Sequence, residues 1–220
     1  GPTLILSVVA LILAYVVAVP IGVISATRQY SIIDYLSSVL ALVGVSVPNF
    51  FLGIGLIYIF ALRLDWLPVS GMRTLGADPS FWDAVSHIIL PAVVLSSQFM
   101  GSVTRYTRSS MLEALHMDYV TAARSRGVPE WQVVLRHALR NALIPTVTVT
   151  GLQLGVLLGG NMIVETVFGW PGLGRLVVGA IFGRDYALVQ GAVMLYALTF
   201  LIANLLVDIL YTQLNPKLEL

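Results

Sequence analysis

The 220-residue chain contains no cysteine, which excludes disulfide scaffolds, iron–sulfur clusters, cysteine-ligated zinc and thiol catalysis together. Charge is nearly as scarce. Charged residues make up 10% of the chain, where a soluble domain carries about 25%. So few charges do not coat a water-exposed globule of this size. Neither sign dominates: 12 basic against 11 acidic residues leave a net charge of +1. A nucleic-acid binder held by phosphate contacts needs a more basic surface than that. The phosphate loop G-x-x-x-x-G-K-[ST] is missing, as are H-E-x-x-H and G-x-S-x-G. What fills the chain is apolar, at 58% of residues and a mean hydropathy of +0.91. Disorder is excluded on that ground, and the chain reads as a membrane protein.

A helix crossing the hydrocarbon core needs roughly 20 apolar residues. Five stretches qualify: Leu4 to Ala26, Val39 to Leu62, Ile88 to Val103, Ala142 to Val164 and Gly191 to Tyr211. The third is the weakest, interrupted by Ser96, Ser97 and Gln98 and closed early by Arg105. The runs are continuous rather than alternating, so they predict helices and not barrel strands. The first run lacks the basic flank and cleavage site of a signal peptide. Arg28, Arg105, Arg108, Arg124, Arg126, Arg136, Arg140 and Lys217 fall on one side of these spans; Arg63, Arg73, Arg175 and Arg184 fall on the other. The richer side is expected to be cytoplasmic, with the C-terminus there and segments 63–87 and 165–190 outside. A start at Gly1, with no initiator Met and five spans, leads us to expect that a first span precedes this sequence.

The connection 105–141 is amphipathic. Met111, Leu112, Leu115, Tyr119, Ala122 and Ala123 recur at helical spacing, and after Gly127 a second set follows, Trp131, Val134, Leu135, Ala138 and Leu139. Glycine permits the turn between them; Pro129 and Glu130 suit a helix start. The expectation is two short helices on the membrane surface, bent at Gly127. They hold either lipid headgroups or another protein, for which Tyr119 supplies an anchor of the type enriched at interfaces.

Here the residues resemble a known family. Thr121-Ala122-Ala123, three residues and Gly127 look like the Glu-Ala-Ala-x-x-x-Gly signature of binding-protein-dependent ABC importer permeases. The runs Asp118 to Gly127, Arg136 to Pro145, Arg108 to Glu113, Glu165 to Arg175 (ETVFGWPGLGR), Trp66 to Gly71, Arg184-Asp185-Tyr186 and Ala203 to Asp208 are similar to the dipeptide/oligopeptide/nickel branch, closest to its B-type subunit. Thr121 departs from the signature by replacing its glutamate. The resemblance covers nearly the whole chain, 1–220, as one permease domain. It implies an all-α polytopic fold of the type I ABC importer kind, in a bacterial or archaeal plasma membrane. It also implies a second homologous permease, two ABC ATPase subunits that bind ATP and Mg, and an extracytoplasmic substrate-binding protein. A short cytoplasmic helix carrying Tyr119, Thr121, Ala122, Ala123, Arg124, Arg126 and Gly127 would dock on an ATPase. No cofactor is expected in this chain.

Within the spans, Gly151, Gly155 and Gly159 form a small-residue face, serving tight packing or a translocation path. Gln98, Gln153 and Asn161 are candidate path-lining groups. Asn49, beside Pro48, is either a partner for backbone groups freed by the proline or a path residue. Deep ionisable residues are almost absent; Glu165 and Asp208 sit near span ends where water is expected to reach them. That counts against an ion-coupled secondary transporter. His87, His116 and His137 do not converge by spacing, which disfavours an intramembrane enzyme. In the outer segment, Glu165, Trp170, Pro171, Gly172 and Gly174 mark a turn before an apolar piece, 176–182. It reads as a gate or docking surface, or as a plain re-entrant connection.

Overall fold

The structure is a computed structural model, and it describes residues 1–76, 78, 80–158 and 161–214; for residues 150, 152–158, 206–208 and 210–214 only the backbone is described. Helix α1 (Pro2–Thr27) opens on a proline in its first turn, where a missing N–H breaks no helical bond. One face of α1 is a buried stripe of small residues, Ala10, Ala14, Ala18, Gly22 and Ala26. Spacing of four keeps them on one side of the helix. Against that stripe α4 (Phe81–Leu115) runs in the same direction. A Cβ on Gly22 would lie 2.8 Å from the Thr107 Cβ and 3.0 Å from the Thr104 carbonyl oxygen. Between lipid tails as apolar as the side chains, such close approach is what holds helices together.

Helix α2 (Ile32–Ser46) starts where the Ser31 hydroxyl accepts the Asp34 N–H. It packs antiparallel on α4, with Gly101 set against the Ala41 carbonyl and Gly44 against that of Ser97. At Pro48 the span breaks. Proline supplies no N–H and pushes its predecessor out of the helical region; Val47 and Pro48 are both extended, at ψ 123° and 136°. Helix α3 (Asn49–Leu56), prolonged by a π-helical stretch Ile57–Arg63, leaves at 103°. The run Val39 to Leu62, expected as one span, is therefore the end of one helix and nearly all of the next.

The helix that carries the third span does not stop at Arg105; α4 continues to Leu115. At about 1.5 Å per residue, its 35 residues reach roughly 52 Å, beyond a hydrocarbon core of roughly 30 Å. Nor does a second surface helix follow Gly127. Helix α5 (Asp118–Ser125) is followed by α6 (Glu130–Gln132), which runs without a break through a π-helical stretch, Val133–Ala138, into α7 (Leu139–Leu158). The stretch Trp131 to Leu139 is thus the first part of the next long helix. The apolar run expected to reach Val164 is α7 and a separate α8 (Met162–Val167); residues 159–160 between them are outside the described residues. Helices α9 (Leu173–Phe182) and α10 (Tyr186–Leu214) complete the chain.

The fold is all-helical, with no strand among the described residues. Among the described residues, Pro2–Thr27, Phe81–Leu115 and Tyr186–Leu205 are long and apolar enough to cross a membrane, and the bent pair Ile32–Ser46 with Asn49–Arg63 is so only when taken together, as a broken span or a re-entrant loop. The remaining expected span falls on α7, several of whose side chains lie outside the described residues. Two buried clusters hold opposite ends of the α1–α4 pair. One joins Leu6 and Ala10 to Leu90, Leu95, Val164, Phe168 and Trp170. The other joins Val23 and Ala26 to Met111, Ala114, Val120, Ala123, Val133, Ala138 and Ala142.

Candidate functional site

The second cluster positions an elbow between α4 and α6. Helix α4 ends as the His116 and Met117 N–H groups donate to the Glu113 and Ala114 carbonyls. Met117 is extended, and α5 turns away from it. The far end of α5 closes in a Schellman motif: the Gly127 N–H donates to the Arg124 carbonyl at 2.9 Å, and the Val128 N–H to that of Ala123 at 3.3 Å. Gly127 sits at φ +76° with open space where a Cβ would be. Glycine is needed there for backbone conformation, not for room. Arg124 then ties the elbow to the next helix, its Nη2 donating to Glu130 Oε1 at 2.7 Å. The guanidinium hydrogen bond holds the Glu130 carboxyl below its usual range, and Glu130 raises Arg124 in return. Both groups are solvated, so the pair contributes little to stability; its effect is on geometry.

Helix α5 has two faces. Val120 and Ala123 are buried against the ends of α1, α4 and the stretch leading into α7. Tyr119 is 38% exposed, and Asp118, Thr121, Ala122, Arg124 and Arg126 are exposed with it, as is Gly127 beyond the helix. The neighbouring alanines, taken together from the sequence, are thus separated: Ala122 faces outward and Ala123 is part of the support. An eight-residue helix with this little of its surface buried has no tertiary reason for its remaining face. That face is available to a partner.

At the opposite end lies the segment from Glu165 to Gly174. Glu165 is fully buried, which corrects the expectation that water reaches it. Its Oε2 accepts the Arg175 N–H at 3.1 Å, so it caps α9 from α8. Gly172 and Gly174 are the cradle, since a Cβ on either would run into that carboxyl group. Trp170 is also buried, its Nε1 donating to the Pro2 carbonyl at 3.0 Å, and the Leu173 N–H reaches Thr3 Oγ1 at 2.8 Å. Pro171 is exposed. Glu165 and Trp170 hold the turn together and present nothing outward. The two loops at this end meet where the Gly71 N–H donates to the Phe168 carbonyl at 2.9 Å.

The described candidate path residues lie on different elements. Asn49 is buried at the start of α3, and its Oδ1 has no hydrogen-bond partner. Gln98 is exposed midway along α4, and Gly151 is buried on α7. Asn161 is committed to a cap, its Oδ1 accepting the Val164 N–H at 3.0 Å. The side chain of Gln153, the surroundings of Gly155, and Gly159 lie outside the described residues, as does the Asp208 side chain. No group of three metal-ligating side chains occurs among the described residues.

The sequence reading missed Asp34. It is 4% exposed, and Arg108 grips it with Nε to Oδ1 at 2.6 Å and Nη2 to Oδ2 at 2.8 Å. Ser25 Oγ donates to Oδ1 at 2.5 Å and the Tyr30 N–H to Oδ2 at 3.0 Å. Ser31 at the helix start was the available signal for where α2 begins; nothing local ties Asp34 to an arginine 74 residues away.

The arrangement of helices defines a class. The chain superposes on the MetNI methionine ABC transporter in inward-facing conformations. The TM-score is 0.76 at 18% identity over 97% of this chain and 93% of that one in one crystal form, and 0.72 at 19% identity in another. At such identity the likeness is one of fold, that of a type I ABC importer membrane subunit. Residues 18–220 match the family described as binding-protein-dependent transport system inner membrane component, and the chain belongs to it. It is therefore a transport permease subunit, spanning the inner membrane several times. Among its relatives are the oligopeptide transport system permease protein AppB of Bacillus subtilis, 42% identical over 99% of this chain and 69% of that protein. The dipeptide transport system permease protein DppB of Escherichia coli is 43% identical over 99% and 70%. The glutathione transport system permease protein GsiC of Shigella flexneri is 43% identical over 99% and 68%.

Proposed function

We propose that this subunit forms half of a path for di- and oligopeptides and takes the force for transport from an ATPase subunit seated on the exposed face of α5. The observation that carries this reading is the two-faced α5. Val120 and Ala123 fix it to three helices, while Tyr119, Thr121, Ala122, Arg124 and Arg126 remain exposed. A chain without a phosphate loop has no evident means of holding ATP, so nucleotide energy must arrive by contact. The excess of arginines at the α5 end supports a cytoplasmic position for that end. A second, similar permease would complete the path, two ATPases would flank the α5 helices, and an extracytoplasmic binding protein would deliver cargo to the Glu165–Gly174 end. A peptide cargo is supported by the relatives, whose names cover oligopeptides, dipeptides and glutathione. The few charges buried in the helices fit a wide, weakly polar path better than an ion-coupled one.

The test is reconstitution of the complete transporter in proteoliposomes. Labelled dipeptide should accumulate only with binding protein on one side and ATP on the other, and unlabelled peptides should compete. Uptake driven by a proton or sodium gradient without ATP would overturn the reading.

A further inference from the structure

Among the three ion pairs in the described residues, one joins two of the long helices to each other: Asp34 on α2 with Arg108 on α4. The Asp34 carboxylate is paired at both oxygens. Both carboxylate oxygens accept two hydrogen bonds each, from Arg108 and Ser25 on one side and from Arg108 and the Tyr30 N–H on the other. Tyr30 is held at φ 58°, outside the ordinary range for a tyrosine, at the turn that aims this N–H at the carboxylate. Ser37 Oγ lies 2.8 Å from Ser25 Oγ and donates to the Asp34 carbonyl at 3.0 Å. The network therefore bolts the α1–α2 turn to α4 at a single point.

Its place along the chain matters. Arg108 lies about two helical turns before Leu115, where α4 hands over to α5. Beyond Asp34, α2 leads to the break at Pro48 and so to α3, whose Gly53 packs on Val167 and Phe168 at the opposite end. Above the pair, α2 and α4 approach closely at Gly101 and Gly44, against backbone carbonyls of Ala41 and Ser97 rather than through a charged pair. A bidentate guanidinium–carboxylate pair fixes direction as well as distance. A neutral contact at this position would not.

We propose that the Asp34–Arg108 pair is a positioning joint for transport, making α2, and through it the bent α2–α3 span, follow the α5 end of α4 as one body. This rests on the reading that α5 is where the ATPase docks. Both residues act on the geometry of the helices they join, α2 and α4.

The experiment uses the complete transporter in nanodiscs and proteoliposomes. Spin labels at Ile32 on α2 and Ser125 on α5, both exposed in this chain, report their separation with and without trapped ATP. The distance in the otherwise wild-type complex should be the same in both states; a change between states overturns the proposal. Arg108→Lys keeps the charge but loses the fork, and Asp34→Asn with Arg108→Gln removes both charges without leaving one unpaired. In assembled complexes each should lower dipeptide moved per ATP hydrolysed by roughly tenfold, within the range of couplings carried by such networks, and should broaden the label distance. A role confined to charge balance predicts instead that the doubly neutral variant transports normally, and that result overturns the proposal. Failure of both variants to assemble would make the pair a folding element and also overturn it. Ala122→Glu separates the two claims. If it uncouples ATPase from uptake while Arg108→Lys does not, docking stands and the joint falls; if Ala122→Glu changes nothing, the docking reading itself is at fault.

Discussion

Replacing Gly127 separates backbone geometry from side-chain contact at the elbow. The residue sits at φ +76° with nothing within 4 Å of the position a Cβ would take. A substitution therefore meets no steric wall, and its cost is conformational. Placing an ordinary L-residue in the left-handed region costs about 1–2 kcal/mol, and a β-branched side chain lies at the upper end of that range or beyond. Asparagine tolerates the region far better. At about 1.4 kcal/mol per factor of ten, Gly127→Val should reduce the population of correctly bent elbow by roughly ten- to thirtyfold, Gly127→Ala by roughly five- to tenfold and Gly127→Asn by little. The assay is binding-protein-stimulated ATPase activity and dipeptide uptake of the reconstituted complex, with assembly checked by size-exclusion chromatography. Coupling should fall in the order Asn, Ala, Val. Equal losses in Asn and Val would show that the φ angle is not what matters, and unchanged coupling in Val would remove the elbow from the mechanism.

Two further substitutions probe the two ends of the fold. Ala122→Glu should leave assembly intact and abolish stimulated ATPase activity, whereas Ala123→Glu should prevent accumulation of folded subunit, since it buries a charge with no partner at a cost of several kcal/mol; matching behaviour of the pair would contradict the inward and outward assignment. Gly174→Ala should lower the melting temperature of the purified complex by an overpacking cost of about 1–3 kcal/mol, because its Cβ would meet the Glu165 carboxyl and the Met162 backbone; an unchanged melting curve would mean that the cap on α9 is loose.

Most of this architecture is legible in the sequence where hydrophobicity is local and continuous. The runs at Leu4 to Ala26 and Gly191 to Tyr211 lie within α1 and α10. Legibility fails where distant groups decide. Ile32 to Ser38 does not read as membrane helix because Asp34 stands in it; Arg108 and Ser25 neutralise and satisfy that charge, and neither is visible nearby. Arg105 reads as the end of an apolar run, yet the helix itself continues ten residues further, to Leu115, since an exposed arginine does not interrupt backbone hydrogen bonding. Gly127 was readable as a bend, because glycine at a helix end has one strong local reason. The split between Ala122 and Ala123 was not, since two adjacent alanines carry the same hydrophobicity and only the packed neighbours distinguish them. Glu165 reads as a loop carboxylate until the glycines around it are seen to be its cradle.

Because these 220 residues contain no cysteine, a single cysteine in place of Ala122 is the only thiol among them. A short thiol-to-amine cross-linker on that residue in the membrane-embedded transporter should yield one dominant product at the combined mass of this chain and an ATPase subunit, with cysteine in place of buried Ala123 unreactive. A product joined only to lipid, or none under conditions where the thiol itself is labelled, would contradict the claim that α5 receives the force for transport.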